Sequence, residues 1–110
     1  MKTYTRKELA EILSKTKVIY IAGPMTGLAD YNKPAFDAAH VRLAESWVVI
    51  NPARNFGGDQ TLEHSQYMRY SIHQLLISDA VYMLAGWMES TGARVEYEVA
   101  LSLGLEVHFE

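Results

Sequence analysis

Glu96 is the residue of this sequence best placed to do chemistry. It stands one turn inside a predicted helix that opens at the small-residue block Ser90–Ala93 and continues to Leu103. The apolar run Ala80–Ala85, predicted to be a buried strand, precedes that helix. Open α/β sheets bind ligands in the crevice beyond the carboxyl ends of their strands. A carboxylate at this position can therefore face a substrate rather than bulk water.

The spacing of residues along the predicted helix indicates which of them lie beside Glu96. Gly92, Glu96 and Ala100 share one helix face, so two small residues leave open space over the acid. Glu98 lies roughly 200° further round the helix and is predicted to face solvent. The neighbouring stripe predicted to face the core consists of Val95, Val99 and Leu103. The alternative for Glu96 is a surface carboxylate that interacts favourably with the positive end of the helix.

A second strand end has the same glycine-containing character. Val18–Ala22 is an apolar, β-branched run, as expected of a strand buried on both faces. The glycines after it would let backbone amides approach an anion. The residues of this loop are Gly23, Pro24, Met25, Thr26 and Gly27. The alternative is an ordinary strand-ending turn, which would not need Thr26.

The remaining pattern predicts the scaffold that positions these two loops. Strands alternate with helices, which implies right-handed crossovers and a parallel sheet. Thr5 and Glu8 predict a capping box at the first helix, and Asn32 is predicted to cap the second. The other predicted elements are a helix from about Pro34 to Glu45, a buried strand Trp47–Ile50, a loop from Ala53 to about His64, a helix from about Ser65 to Ile77 and a strand Leu105–Phe109. The prediction is a single α/β domain over residues 1–110: a small doubly wound, Rossmann- or flavodoxin-like parallel sheet of about four strands with helices on both faces.

Composition excludes several classes of function. A net charge of -3 with scattered Lys and Arg predicts no basic surface of the kind that binds a nucleic-acid polymer. The absence of cysteine excludes disulfides, thiolate zinc sites and cysteine nucleophiles. No apolar stretch approaches the ~20 residues of a membrane span. His40, His64 and His108 lack metal-ligand spacing and are expected at the surface. We therefore expect a soluble cytoplasmic protein with no cofactor and no metal.

Four motifs together resemble the nucleoside 2-deoxyribosyltransferase superfamily, which also includes N-glycosidases acting on nucleoside 5'-monophosphates. They are Tyr20-x-Ala22-Gly23-Pro24, Asn51-Pro52, Asp79 before a strand, and Ser90-x-Gly92-Ala93-x-x-Glu96-x-x-x-Ala100. A short branch common in bacteria and their phages, which carries Gly-Trp before the last motif, is the most similar, and Gly86-Trp87 matches it. Each motif alone is common, but their order and placement at three strand ends are specific. The resemblance covers about residues 17 to 109.

The resemblance implies a catalytic pair. Glu96 would be the nucleophile that attacks C1' of the sugar, where the transition state is oxocarbenium-like and needs a nearby anion. A covalent glycosyl-enzyme would then pass to water or to another base, with retention. Tyr20 matches a tyrosine whose hydroxyl orients the nucleophile. The alternative for Tyr20 is a strand aromatic packed in the core.

The resemblance also implies substrate-binding residues. The loop from Gly23 to Gly27 would close over the sugar and any 5'-phosphate, and Gly92 would give access to Glu96. Ser90 matches a serine that contacts phosphate, which favours a nucleotide over a free nucleoside; the alternative, a helix cap, can hold at the same time. Trp87, with Met88, would stack on the base. The alternative for Trp87 is a packing or dimer contact.

One position departs from the superfamily pattern. The aspartate usually found eight residues before Asp79, which assists proton transfer to the leaving base, is Ser71 here. His73 is turned about 200° away from that position, and Asp79 is predicted to be a structural cap. Tyr67 and Tyr70, on the same helix, are predicted to be partly in the core. Two functions therefore stay open: N-glycosidic cleavage or transfer on a nucleoside or nucleotide, and a catalytically weak nucleotide-binding module. The superfamily implies a homodimer or higher homo-oligomer.

Overall fold

A computed structural model describes residues 3–15, 17–59 and 61–110 of the chain. Helices and strands alternate in the predicted order. They are α1 Arg6–Lys15, β1 Val18–Ala22, α2 Lys33–Leu43, β2 Val48–Ile50, α3 His64–Leu76, β3 Ala80–Met83, α4 Thr91–Leu103 and β4 Glu106–Phe109. Between β2 and α3, where the sequence predicts a loop, a 3₁₀ turn covers Pro52–Gly58.

The four strands form one parallel sheet in the order β2-β1-β3-β4. From β1 the chain moves to one side to form β2 and then crosses to the other side to form β3. Tyr20, in the central strand β1, is paired with Ile50 of β2 and with Val81 of β3. The strand order therefore reverses next to β1, and open α/β sheets bind ligands at such a reversal.

Helices cover both faces of the sheet, which confirms the predicted doubly wound α/β fold. On one face, Leu75 of α3 and Ala93 and Ala100 of α4 pack on side chains of β1 and β3. On the opposite face, Phe36 and Ala39 of α2 pack on side chains that include Ile21 and Leu84. The alternation of side chains along a strand explains this division, because Tyr20 and Ile21 point to opposite faces.

The second strand is less buried than its apolar sequence predicts. Val48 is 48% exposed, and Val49 and Ile50 are only half-buried. The prediction of a fully buried strand was wrong because β2 is an edge strand with one neighbour. Apolar composition alone does not distinguish a central from an edge strand.

The predicted helix caps have mixed outcomes. At α1, the Glu8 backbone N–H donates to Thr5 Oγ1 over 3.1 Å and the Thr5 N–H donates to Glu8 Oε1, which confirms the capping box. Asn32 precedes α2 but does not cap it. Its backbone is left-handed, with φ 62°, and its side-chain amide donates to the carbonyl of Pro24 over 2.9 Å. Asn32 thus ties the loop after β1 to the start of α2.

The fourth helix is rotated relative to the predicted core stripe. Val95 and Leu103 are about half exposed, whereas Ala93, Glu96 and Ala100 are buried. The small side chains of the two alanines let this row approach the sheet closely, so Val95 and Leu103 are displaced towards solvent. Val99 packs against the core, as predicted. Glu98 is exposed, as predicted. This rotation directs Glu96 inward.

Candidate active site

A cavity of about 890 Å³ opens at the carboxyl ends of the strands. Its walls come from the loops after β1, β2 and β3 and from the first turns of α3 and α4. The structure brings eight of the predicted site residues together in this lining: Tyr20, Gly23, Pro24, Met25, Thr26, Ser90, Gly92 and Glu96. Its volume is within the range usual for small-molecule sites.

Glu96 and Tyr20 form a hydrogen-bonded pair in the cavity lining. The Tyr20 hydroxyl donates to Glu96 Oε2. Glu96 is 5% exposed and Tyr20 is 1% exposed, so the hydrogen bond is shielded from bulk water. Glu96 is therefore a buried residue and not the surface carboxylate that was the alternative. A buried acid with one oriented donor is a geometry suited to controlled ionisation.

Burial sets the ionisation of both groups. It raises the pKa of Glu96 to about 7, and the hydrogen bond from Tyr20 partly opposes that rise. It also holds the pKa of Tyr20 well above its usual range, to which the nearby Glu96 charge contributes. Tyr20 therefore keeps its proton and remains a donor, while Glu96 ionises near neutral pH.

Two of the predicted glycines are required by close packing. A Cβ at Gly23 would lie 2.8 Å from Cβ of Leu84, so the loop after β1 can approach the end of β3 only without a side chain. A Cβ at Gly92 would lie 3.1 Å from the Met68 sulfur and 3.5 Å from Cε1 of His64. Gly92 therefore keeps open the space between α3 and α4 beside Glu96.

Ser90 is a helix cap that also lines the cavity. Its Oγ accepts a hydrogen bond from the Ala93 backbone N–H over 3.2 Å. The capping alternative is thus confirmed, and the hydroxyl proton of Ser90 stays available to donate to a ligand. Gly104, left-handed with φ 72°, ends the same helix directly after Leu103.

Three residues predicted to bind substrate lie outside the cavity lining. Trp87 packs against Tyr97 and Phe109, with ring centroids 4.6 and 5.9 Å apart. This correction favours the packing alternative for Trp87, because the turn after β3 directs its ring towards α4 and β4. Met88 is exposed and also outside the lining. Gly27 serves the loop backbone instead, with φ 84°.

Tyr67 is a cavity residue that sequence reasoning did not assign to the site. Its hydroxyl donates to the Pro52 carbonyl and lies 3.3 Å from the Met25 sulfur. Burial and the charge of Glu96 raise the pKa of Tyr67. It is half-buried, as predicted, whereas Tyr70 is exposed and the prediction of a core position for it was wrong. The helical spacing of Tyr67 and Ser71 could have indicated their common face.

The charged residues of the lining were also missed. Besides Glu96 they are Asp30, Lys33, Asp59 and Glu89, and the imidazole of His64 lies in the same lining. Lys33 is the only Lys or Arg among the lining residues that the structure describes. Asp30, Tyr31 and Asn32 have consecutive left-handed φ angles of 51°, 49° and 62°. No glycine marks this run, so the sequence gives no signal for the turn that carries Asp30 into the cavity wall.

Ser71 and Asp79 have different environments. Asp79 Oδ2 accepts a hydrogen bond from the Val18 backbone N–H over 2.8 Å, which supports its predicted structural role. Ser71 is fully buried, and its Oγ has no hydrogen-bond partner within the described part of the chain. Burial and the charge of Glu96 hold the pKa of Tyr20 well above its usual range, and Ser71 opposes this rise only in part.

A metal site needs several donor side chains close together. No three His, Cys, Asp or Glu side chains in the described residues are grouped as metal ligands would be. His64 and His108 are exposed as expected, but His40 is half-buried. Within residues 3–15, 17–59 and 61–110, no helix is long and apolar enough to span a bilayer.

Comparison with known proteins agrees with this architecture. The solved structure of a 2-desoxiribosyltransferase from Leishmania mexicana is similar, with a TM-score of 0.66 and 19% sequence identity. The match covers 84% of this chain and 63% of that chain. The two chains therefore share an α/β fold, the fold that the resemblance of the sequence motifs implied.

A family model places the chain more closely. The chain belongs to the family described as a domain of unknown function, DUF4406, whose model matches residues 17–109. No curated protein matches the chain. This chain spans 63% of the length of the solved Leishmania mexicana structure, so parts of that protein have no counterpart here.

Proposed function

We propose that this protein cleaves or transfers the N-glycosidic bond of a nucleoside, deoxynucleoside or nucleoside 5'-monophosphate, with Glu96 as the nucleophile. The observation that carries the proposal is the buried Glu96 carboxyl, held by the Tyr20 hydroxyl in the lining of the cavity. The similarity in fold to a deoxyribosyltransferase supports the same class of reaction.

The proposed reaction has two displacements at C1'. In the first, a Glu96 oxygen forms a bond to C1' while the bond to the base breaks and its electron pair leaves with the base. The developing oxocarbenium charge is stabilised by the carboxylate, and a glycosyl ester on Glu96 results. In the second, water or another base attacks C1' and releases Glu96. Two inversions give net retention.

The surrounding residues support sugar binding in the same cavity. The loop residues from Gly23 to Thr26 would enclose the sugar, and Gly92 would leave room for it beside Glu96. Ser90, at the start of α4, and Lys33 would suit a 5'-phosphate. The lining carboxyls of Asp30, Asp59 and Glu89 oppose an anion and favour an uncharged nucleoside. Both substrate forms therefore belong in the test.

The second candidate is a nucleotide-binding module with little or no turnover. Ser71 motivates it, because a buried serine cannot deliver a proton to the leaving base at neutral pH as a carboxylic acid can. The module would use the same cavity and the same ligands. The two candidates differ only in whether the base is released.

The deciding experiment screens nucleosides and 5'-monophosphates by thermal shift and then measures released base by chromatography. If the wild-type protein releases base and the Glu96→Ala variant does not, the result supports the proposed enzyme activity. Glu98→Ala is the matched control, since Glu98 is an exposed glutamate on the same helix, and it is expected to retain activity. Base release retained in Glu96→Ala refutes the assignment of the nucleophile.

Binding without base release supports the binding module. In that case the Ser71→Asp variant places a carboxylic acid at position 71, where the superfamily usually has an aspartate. The appearance of cleavage in this variant identifies the serine as the cause of the lost turnover, and its absence removes Ser71 from the explanation.

A homodimer or larger homo-oligomer is part of the proposal. It is supported by exposed apolar side chains on α3, on the residue that follows α3, and on α4. They are Tyr70, Leu76, Ile77, Val95, Leu101 and Leu103. Sedimentation equilibrium measures the assembly directly. A mass equal to the 12.4 kDa of one chain at micromolar concentration contradicts it.

A further inference from the structure

Breaking an N-glycosidic bond leaves an electron pair on the base, and a proton donor eases the departure of that base. Position 71, which would carry the donor by resemblance to the superfamily, is a buried serine. His64 is the first residue of the same helix, α3, and lies in the cavity lining. Seven residues at about 100° each bring a helix to within about 20° of its starting direction, so His64 and Ser71 share one face of α3. This face therefore carries an imidazole two turns before the serine.

The His64 ring faces Gly92 on the neighbouring helix α4. A Cβ at Gly92 would lie 3.5 Å from His64 Cε1, so the ring borders the space that Gly92 leaves open. Gly92 and Glu96 stand one turn apart on the same face of α4, with about 5–6 Å between such positions. Retaining glycosidases hold their acid and their nucleophile at a similar separation, about 5–5.5 Å. The His64 imidazole and the Glu96 carboxyl therefore flank one space in the cavity.

His64 is also the lining group whose chemistry suits proton transfer near neutral pH. An ordinary carboxylic acid has lost its proton there and an ammonium group holds its proton too tightly, whereas an imidazole exchanges one readily. Of the lining residues that the structure describes, His64 is the only histidine. Its exposed side chain can recover a proton from water after each turnover. The Tyr67 hydroxyl is unsuited to this role, because it donates to the Pro52 carbonyl and burial raises its pKa.

We infer that His64 is the general acid of the proposed reaction, and the inference rests on that function for the role of Glu96. The imidazolium of His64 gives its proton to a ring nitrogen or carbonyl oxygen on the outer edge of the base, where bases carry acceptors. In the same step the bond from C1' to the base breaks, its electron pair stays with the base, and the base leaves neutral. In the second displacement the neutral imidazole takes a proton from the attacking water or base, which restores the imidazolium.

The test compares two leaving groups that differ in their need for a proton. 2'-Deoxyguanosine, or its 5'-monophosphate, needs one, whereas the 7-methyl derivative carries a positive charge on its base and releases a neutral base without one. Base release is measured by chromatography against a blank without protein. His64→Gln keeps a hydrogen-bonding group but cannot transfer a proton, so kcat for the unmethylated substrate is expected to fall at least about 100-fold. The kcat for the methylated substrate should be nearly unchanged.

His73→Gln is the matched control. His73 is an exposed histidine on the same helix but outside the cavity lining, so this variant is expected to keep wild-type rates with both substrates. Equal losses on both substrates in His64→Gln indicate a structural role and overturn the inference, as does no loss on either. If the protein accepts only pyrimidines, the pair is 2'-deoxyuridine and its 5-fluoro derivative, whose base leaves more readily as an anion.

Glu96→Ala separates the inference from the proposed function. Base release that requires Glu96 but not His64 overturns the inference and leaves the proposed function standing. Absence of base release by the wild-type protein from every substrate overturns both.

Discussion

At the residue scale, the site depends on one carboxyl whose charge is opposed by burial. Glu96 loses hydration on folding and receives one hydrogen bond from Tyr20 in return. Burial is the larger effect, so the pKa of Glu96 rises to about 7. The protein therefore keeps in its interior a group that is unfavourable for stability at alkaline pH, and in the proposed reaction this group is the nucleophile.

The first prediction concerns the stability of Glu96→Gln. A raised pKa means that ionised Glu96 destabilises the folded state, and the penalty grows as pH rises from about 4.5 towards 7. At pH 8 the glutamine variant should be more stable by up to about 3 kcal/mol, from the shift of roughly 2.5 units. At pH 4 the two proteins should be nearly equal. Urea denaturation at both pH values measures the difference.

The control for this prediction is Glu98→Gln. Glu98 is exposed on the same helix, so its substitution should change the free energy of unfolding little at either pH. A difference between wild type and Glu96→Gln that is the same at pH 4 and pH 8 contradicts the ionisation argument.

The second prediction concerns Tyr20→Phe, which removes the hydroxyl and keeps the ring in the core. Without its donor the Glu96 carboxylate is less stable, so the alkaline plateau of kcat should begin at higher pH. Loss of a hydrogen bond to a charged group should lower kcat roughly 10- to 100-fold near neutral pH. A pH–rate profile of base release measures both effects. An unchanged profile contradicts the orienting role of Tyr20.

At the element scale, the sequence predicts what depends on local patterns. Apolar runs located β1 and β3, and the Ser90 and Gly104 caps bounded α4 within a residue. The rotation of α4 was missed because it depends on which side chains can approach the sheet. Two alanines reach it more closely than the bulkier Val95 and Leu103. Local periodicity contains no information on that choice.

The third prediction concerns the contact between the loop after β1 and the end of β3. In Gly23→Ala the new methyl group would lie 2.8 Å from Leu84 Cβ, so backbone must move. Overpacking of this kind should lower the free energy of unfolding by about 1–3 kcal/mol. In Gly92→Ala the methyl group meets the flexible Met68 thioether, so a smaller loss is expected. Equal effects in urea denaturation contradict the packing argument.

At the scale of the whole molecule, the fold and the reversal of strand order bring the ends of β1 and β3 together. The sequence motifs predicted this meeting, which unites Tyr20 with Glu96 across 76 positions of the chain. The opposite wall was not predictable. Two of its acidic residues depend on turns with left-handed backbone: Asp30 lies in the turn with Tyr31, and Asp59 follows the turn at Phe56. Sequence patterns assign these positions to ordinary loop.

Trp87, which was expected to stack on the base, lies outside the cavity lining, and the cause is again the backbone of a turn. A tryptophan after a strand is as suitable for the core as for a ligand, and only the direction of the turn decides between them. Here the turn directs Trp87 to Tyr97 and Phe109. Besides Tyr20 and Phe36, the aromatic residues of the cavity lining are Tyr31 and Tyr67, and in the proposed function these would stack on the base.

The most direct test of the central claim is peptide mass mapping after rapid acid quench of the reaction with a deoxynucleoside or its 5'-monophosphate. We predict that the peptide containing Glu96 gains the mass of one sugar residue, with its phosphate if the substrate carried one. The same peptide from Glu96→Gln should gain nothing. Accumulation of free base while the Glu96 peptide stays unmodified would contradict the account.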